Sequence, residues 1–112
     1  MLTLVAELDG RLVGWVSFGE NRDADAAPHV GELRALFVSP TAWRRGAGSA
    51  LVAGVLDGLR ELGYRESTLW SFDRNERANA FYEHHGFVRD GAEQRRDVFA
   101  GALEVRYRRS LA

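Results

Sequence analysis

The most informative segment of the chain is Trp43-Arg44-Arg45-Gly46-Ala47-Gly48-Ser49. An extended apolar run, residues 32–38, precedes it, and apolar residues at helical spacing follow it from Ser49 to Leu62. A glycine-rich turn between a strand and a helix aims unpaired backbone N–H groups and the positive end of the helix dipole at one point. The two glycines let a phosphate approach the backbone and the two arginines add positive charge, so this stretch predicts an anion site.

Two common nucleotide-binding patterns do not fit this turn. A Walker-type loop needs Lys followed by Ser or Thr directly after its last Gly, and the chain contains no lysine. A Rossmann fingerprint needs Gly or Ala three residues after the second Gly, where this chain has Leu51. A Gly-x-Gly before a helix also occurs in ordinary turns, so a helix N-terminus with two solvated arginines is the alternative interpretation.

Length and composition are those of one small globular domain comprising residues 1–112, with 46% hydrophobic and 28% charged residues. No apolar run approaches membrane-spanning length, and the N-terminal apolar run meets Glu7 at once, which argues against a signal peptide. We therefore expect a cytoplasmic location. A net charge of −1 gives no strong basic field, so we expect neither nucleic acid nor a membrane as partner.

Cysteine and histidine usage limits the chemistry. The chain has no Cys, which excludes disulfides, thiolate catalysis and cysteine metal sites. Of the three histidines, His29 lies in a loop, and His84 and His85 are adjacent positions that do not face each other on a helix. We therefore expect no metal site.

Apolar periodicity and turn residues divide the chain into short strands and two helices. Asp9-Gly10 between two extended runs predicts a hairpin, and Ser39-Pro40 ends the third strand. Either Asp73 or Asn75 can cap the second helix, which ends at Gly86. The predicted strands are 2–8, 12–18, 30–38, 66–72 and a final antiparallel pair, 87–89 with 97–108, with Gly91 and Gly101 as candidate breaks. The first helix is predicted over 49–62.

A stripe of small residues, Ala50, Gly54 and Gly58, follows one face of the first helix. Each Gly costs about 1 kcal/mol relative to Ala in a helix interior. Close packing of the helix backbone against another surface is the expected reason, because a side chain there would keep the two surfaces apart.

A second pattern, Asn75-x-x-Ala78-x-x-Phe81-Tyr82-x-x-x-Gly86-Phe87, follows the glycine turn along the chain. Together with Leu36-Phe37-Val38-Ser39-Pro40 leading into that turn, it resembles the GNAT superfamily of acetyl-CoA-dependent N-acetyltransferases, from about Leu4 to the C-terminus. The resemblance implies an α+β fold with a mixed, mostly antiparallel, splayed sheet and flanking helices.

Two positions depart from that family. The family usually has Gln or Arg three residues before the first Gly of the turn, and this chain has Trp43. Family members normally begin with a further strand and a pair of helices, whereas the hairpin here starts at residue 2. One face of the sheet should therefore be exposed or covered by something else, and we expect a homodimer or a shortened form of a longer protein.

The resemblance also implies which residues hold acetyl-CoA, the acyl donor. The strand before the glycine turn binds the pantetheine arm through its backbone, Asn75 is a further polar contact, and the turn and helix start receive the pyrophosphate. The implied donor-binding residues are Leu36, Phe37, Val38, Arg44, Arg45, Gly46, Ala47, Gly48, Ser49 and Asn75.

Two residues are candidates for the chemistry. Tyr82 matches a family tyrosine placed near the cofactor sulfur, where it could protonate the departing thiolate; the alternative is an aromatic packed beside Phe81. Glu32 stands where many family members carry a carboxylate that accepts the amine proton; the alternative is a solvent-facing glutamate at a strand end. His29 and Glu104 are weaker substitutes for this base.

The resulting hypothesis is an N-acetyltransferase that moves an acetyl group from acetyl-CoA to a primary amine of a small molecule or peptide. Without Cys, the amine attacks directly in a ternary complex. The alternatives are a non-catalytic acyl-CoA-binding module and a dimerisation module. An acidic loop with Glu20, Asp23 and Asp25 hints at a cationic acceptor, although exposed loops are also acidic for solubility.

Overall fold

The computed structural model describes residues 1–112 and contains one six-stranded sheet and two α-helices. The strand order is β1-β2-β3-β4-β6-β5, and every neighbouring pair is antiparallel except β3 with β4. This arrangement confirms the predicted α+β class with a mixed, mostly antiparallel sheet. The elements are β1 Leu2–Leu8, β2 Arg11–Glu20, β3 Val30–Val38, α1 Ala47–Glu61, β4 Glu66–Phe72, α2 Glu76–His84, β5 Val88–Arg95 and β6 Leu103–Ser110.

The first hairpin forms at the predicted dipeptide. Asp9 and Gly10 both have positive φ angles, 53° and 78°, which is the conformation that a two-residue hairpin turn needs. Further along, β2 pairs with β3 up to Gly14↔Val38. The three strands β1 to β3 therefore form a continuous antiparallel layer that supports the glycine turn following β3.

The parallel ladder between β3 and β4 is short. It holds three residue pairs, Val30↔Glu66, Gly31↔Ser67 and Glu32↔Thr68. Beyond Glu32, β3 remains paired with β2, and β4 remains paired with β6 up to Phe72. The two strands therefore diverge, which confirms the predicted splayed sheet, and residues 33–38 have no strand partner on that side.

Both helices pack on the same face of the sheet. Val52, Val55 and Leu59 of α1 are fully buried against it, and Tyr82 of α2 belongs to the same core of 14 buried residues. The opposite face carries no helix, and Trp15 and Phe37 on it are 41% and 50% exposed. We expect a second copy of the chain, or the rest of a longer protein, to cover this face. This expectation stays a prediction. Neither helix is long and apolar enough to cross a membrane.

The last strand pair differs from the prediction. Residues 97–99 form a 3-10 turn, and β6 starts at Leu103 because Ala100 and Gly101 both adopt left-handed φ angles that reverse the chain. Gly91 does not break its strand, since β5 continues to Arg95 with an irregularity between Arg89 and Glu93.

Of the two caps considered for α2, the structure uses Asn75. Its side-chain oxygen accepts a hydrogen bond from the Ala78 N–H at 3.2 Å. Asp73 instead pairs with Arg89 of β5 at 2.9 Å.

The small-residue stripe of α1 packs closely, as expected, and the surface that it meets, which the sequence did not name, is that of the first two strands. A Cβ added at Gly58 would lie 2.7 Å from two ring carbons of Phe18 in β2, and one added at Gly54 would lie 2.7 Å from the Leu4 Cδ1 of β1. The phenyl ring is 2% exposed and has no room to move. The helix therefore approaches the sheet as closely as a glycine allows.

We expect Gly58→Ala to lower the free energy of unfolding by on the order of 1 kcal/mol, because overpacking against Phe18 outweighs the gain in helix propensity. Gly54→Ala is the matched control: its Cβ meets only the flexible end of Leu4, so stability should stay equal or rise. Urea denaturation of both variants measures the difference. Equal stability of the two would contradict a tight contact at Gly58.

Candidate active site

The start of α1 is free of side-chain caps. Gly46 is the N-cap residue, with a left-handed φ of 86°, and no side chain bonds to the first turn. The first hydrogen bond of the helix runs from the Ala50 N–H to the Gly46 carbonyl at 3.0 Å. The amides of residues 47–49 therefore point out of the helix end, as the glycine turn predicted, and can bind an anion.

The two arginines of the turn differ in their partners. Arg45 lies 3.8 Å from Asp9 in the first hairpin, and both side chains are largely exposed. Arg44 forms no ion pair and has a φ of 63°, which a non-glycine residue rarely adopts. Arg44 therefore offers an uncompensated positive charge beside the helix start, held by a turn of unfavourable backbone conformation.

The helix start lies directly against α2. A Cβ at Gly48 would be 3.1 Å from the Phe81 Cζ and 3.7 Å from the Val38 Cγ2, so glycine is needed for this approach. Next to it, the Ser49 hydroxyl hydrogen-bonds with the His85 Nε2 at 3.1 Å. Burial lowers the pKa of His85 first, and the charges of His84 and Arg109 lower it further, which favours the neutral ring.

The backbone of β3 presents alternate polar groups to the gap beside β4. The Ser39 N–H donates to the Val13 carbonyl at 2.7 Å, so in this antiparallel pair Phe37 and Ser39 direct their polar atoms at β2. Leu36 and Val38 direct theirs the opposite way, into the gap. Of the three residues implied for pantetheine, only these two therefore direct backbone groups into the gap, and the Val38 carbonyl already accepts a hydrogen bond from the Trp43 indole at 2.9 Å.

Tyr82 lies between the helix layer and the sheet. Its ring packs edge-on against Phe81 and Phe87 and tilted against Tyr107, at centroid distances of 5.6, 6.2 and 6.3 Å. Burial raises the pKa of its hydroxyl to about 12, and this hydroxyl makes no hydrogen bond to the protein. Tyr82 is therefore packed among aromatic rings, and its protonated hydroxyl is a hydrogen-bond donor without a partner in the protein.

Asn79 fixes α2 to the end of β4, and the sequence analysis missed it. It is 5% exposed; its side chain accepts from the Ser71 hydroxyl at 2.6 Å and donates to the carbonyls of Phe72 and Asp73 at 3.2 and 3.1 Å. An asparagine between apolar helix positions was its only signal. These bonds set where Asn75 and Tyr82 stand relative to the gap.

A cavity of about 340 Å³ lies on the helix-free side, below the point where β3 and β4 diverge. Glu32 lines it and is 1% exposed, so it is not the solvent-facing glutamate considered above. The Arg22 side chain holds both carboxylate oxygens of Glu32 at 3.0 and 3.1 Å, and the Arg22 N–H adds a third bond at 3.0 Å. Glu32 is therefore a buried anion with a half-exposed counterion.

Glu104 is the second buried carboxylate of this cavity, 3% exposed. Arg96 holds both of its oxygens at 2.8 and 3.0 Å, and Gln94 adds a bond at 3.3 Å. Its hydrogen bond to Glu104 is the main reason that the pKa of Arg96 is raised. Sequence reasoning found no role for Glu104 beyond its charge, because the strand partner that brings it here is 32 residues earlier, at Phe72.

The acidic loop is part of a structural ion-pair network. Asp23 and Asp25 contact Arg106 at 3.2 and 3.1 Å, and Asp23 also accepts from the Trp70 indole at 2.9 Å. The hydrogen bond from Arg106 lowers the pKa of Asp25. These carboxylates are engaged within the protein. His29 lies outside the cavity, 3.7 Å from Glu66, and no cluster of three or more residues suited to a metal ion is present.

Comparison with known proteins agrees with this geometry. The acetyltransferase (GNAT) family profile matches residues 1–87. The mycothiol acetyltransferase of Sanguibacter keddieii is 42% identical over 88 residues, covering 77% of this chain and 28% of that protein. The chain therefore spans less than a third of the length of this relative.

Solved structures share the fold at low sequence identity. The IAA acetyltransferase from Bacillus cereus superimposes with a TM-score of 0.83 at 16% identity, covering 96% of this chain and 76% of that one. The PaiA N-acetyltransferase from Thermoplasma acidophilum, solved in complex with coenzyme A, gives 0.77 at 19% identity, covering 97% and 60%. On the family match, the chain belongs to the acetyltransferase (GNAT) family.

We expect the raised pKa of Tyr82 to make the free energy of unfolding depend on pH in the alkaline range. Its pKa is about 12 in the folded protein against 10 in the unfolded chain, so the folded state keeps a proton that the unfolded state releases. The free energy of unfolding should therefore fall as pH rises from 10 to 12, by up to about 1.4 kcal/mol per pH unit. Tyr82→Phe should reduce this slope, measured by urea denaturation at each pH.

Tyr107, whose pKa is also raised by burial and by its bond to Glu83, keeps part of the slope in the Tyr82→Phe protein. An unchanged slope in Tyr82→Phe would contradict the buried hydroxyl.

Proposed function

We propose that this chain binds acetyl-CoA and transfers its acetyl group to a primary amine of a small molecule or peptide. The observation that carries the proposal is the gap between β3 and β4, which opens beside the uncapped start of α1. A strand with free polar atoms and a helix end with free amides match the two chemically different parts of the donor, its amide-containing arm and its phosphates. The coenzyme A complex of PaiA N-acetyltransferase supports the same assignment.

The residues present fit this donor. The amides of Ala47, Gly48 and Ser49 and the charge of Arg44 would hold the pyrophosphate, and the open space at the Cβ position of Gly46 lets it reach the backbone. Leu36 and Val38 would bind the pantetheine amides as a partner strand does. Asn75, at the start of α2, closes the other side of the gap.

The chemistry would use the two faces of the sheet together. The acceptor enters from the cavity as an ammonium and gives one proton to Glu32, directly or through water. The neutral amine then attacks the thioester carbonyl, forming the C–N bond as the C–S bond breaks. Tyr82 protonates the departing thiolate and regains its proton, through water, from the nitrogen of the new amide. A hydroxyl with a pKa of about 12 remains protonated at neutral pH, as this role needs. The transfer is direct because the chain has no Cys.

One observation favours a second candidate, a module that binds acyl-CoA without catalysis. Both oxygens of Glu32 are already held by Arg22, so the carboxylate must leave that pair before it can take a proton. In the catalytic proposal, the acceptor ammonium replaces Arg22, whose side chain is 56% exposed and free to swing out.

Titration calorimetry with acetyl-CoA, followed by an assay of free thiol release with a panel of amines, separates the two candidates. The panel contains a polyamine, an aminoglycoside and a peptide with a free N-terminus. Acceptor-dependent thiol release supports the transferase. Binding without release by any amine supports the module, and a folded chain that binds no acetyl-CoA excludes both.

We expect Gly48→Glu to weaken coenzyme A binding at least about 10-fold more than Gly48→Gln, because only the glutamate adds a charge that repels phosphate. Both variants place the same bulk near Phe81, so packing effects cancel in the comparison. The difference should shrink with added salt. Calorimetry at two ionic strengths measures it, and equal affinities would place the phosphates elsewhere.

For the chemical step, we expect Tyr82→Phe and Glu32→Gln each to lower kcat about 100-fold or more, because each removes a proton-transfer group. The dissociation constant for coenzyme A should stay unchanged in both. Glu104→Gln is the matched control, since it alters the neighbouring buried carboxylate of the same cavity. A larger loss in Glu104→Gln than in Glu32→Gln would move the base to β6.

A further inference from the structure

Trp43 is one of the two departures of this chain from its family, and its side chain lies in the gap between β3 and β4. Its indole Nε1–H donates a hydrogen bond to the Val38 carbonyl at 2.9 Å. This carbonyl points away from β2 and into the gap, as the bond from Ser39 to Val13 establishes for its neighbours. The indole N–H therefore occupies the carbonyl oxygen to which the N–H of a neighbouring strand would otherwise donate.

Arg77 holds the indole in this place from the other side of the gap. Its guanidinium carbon lies 3.8 Å from the centroid of the Trp43 ring, close enough for a cation–π contact. Arg77 is in the first turn of α2 and forms no ion pair or hydrogen bond with the protein. A cation near a helix N-terminus is unfavourable, so the ring is the feature that positions it.

The stack joins the two diverging strands at their ends. Trp43 follows β3, and Arg77 follows β4, so their contact crosses the gap between the elements that the short parallel ladder lets separate. Ser39 and Thr41 hydrogen-bond to each other at 3.0 Å in the turn that carries Trp43, which keeps this turn compact. The indole is 43% exposed and has space to rotate outward.

We propose that Trp43 competes with the pantetheine arm of the acyl donor for the Val38 carbonyl, so that this side chain sets donor affinity. The inference rests on the proposed function, since it takes acetyl-CoA as the ligand of the gap. An amide N–H of the donor and the indole N–H are equivalent donors for one carbonyl lone-pair direction. Donor binding therefore displaces the indole and breaks one hydrogen bond of the free protein.

The test is Trp43→Phe, which removes the N–H and retains an aromatic ring for Arg77. We expect the dissociation constant for coenzyme A to fall about 2- to 10-fold, the net worth of one hydrogen bond exchanged with water. Adenosine 3′,5′-bisphosphate is the comparison ligand, because it has the 3′-phosphate and the first 5′-phosphate of coenzyme A and no pantetheine arm. Its affinity should not change.

Trp15→Phe is the matched control. The same substitution is made at an indole that is 41% exposed on the helix-free face, where its ring lies 6.5 Å from that of Phe37, and it should leave both affinities unchanged. Tryptophan fluorescence gives a second readout: coenzyme A should change the emission of the Trp15→Phe protein and leave that of the Trp43→Phe protein almost unaltered.

The outcomes separate the competition from the donor site itself. Unchanged or weaker coenzyme A binding by a folded Trp43→Phe protein would overturn the competition while leaving the proposed function intact. An equal gain for adenosine 3′,5′-bisphosphate would also overturn it, because the effect would then act through the phosphate turn. No coenzyme A binding by the wild-type protein would remove the proposed function and this inference together.

Discussion

The short parallel ladder between β3 and β4 determines the shape of the sheet and the position of the gap. Three residue pairs hold the two halves of the sheet together, and beyond Glu32 each strand follows its own antiparallel partner. The polar atoms of Leu36 and Val38 are left facing the gap. Since an unpaired buried carbonyl costs about 1–3 kcal/mol, the gap favours any group that donates to it, and the Trp43 indole is one such group.

The two faces of the sheet differ in chemistry and in what they can bind. The helix side is apolar and holds α1 close through glycines, which brings the amides of its first turn beside α2. The other side carries a network of arginines and carboxylates in which Glu32 and Glu104 are buried. A buried carboxylate is tolerated only with a partner. Each arginine therefore stabilises the carboxylate with which it pairs and also keeps other groups from binding to it. An acceptor cation would have to take the place of an arginine.

Local signals predicted the elements well where one residue type has a narrow conformational role. Asp9-Gly10 gave the hairpin turn, and the apolar spacing after Gly48 gave α1 within two residues of its start. The prediction failed at residues 97–102, where an apolar stretch suggested a strand. There Ala100 takes a left-handed φ that its residue type does not announce, and the chain turns before β6.

The order of the elements and the glycine turn before α1 could be predicted from the sequence, because glycine spacing and apolar periodicity act over a few neighbouring residues. The fold class followed from the resemblance of its two motifs to the GNAT superfamily. The composition of the cavity depends on tertiary contacts. Glu104 and its partner Arg96 reach Glu32 through strand pairing, and Arg22 reaches it across a loop. The contact of Trp43 with Val38 also depends on the tertiary structure, since a hydrogen bond to a carbonyl in the gap exists only once β3 and β4 have diverged.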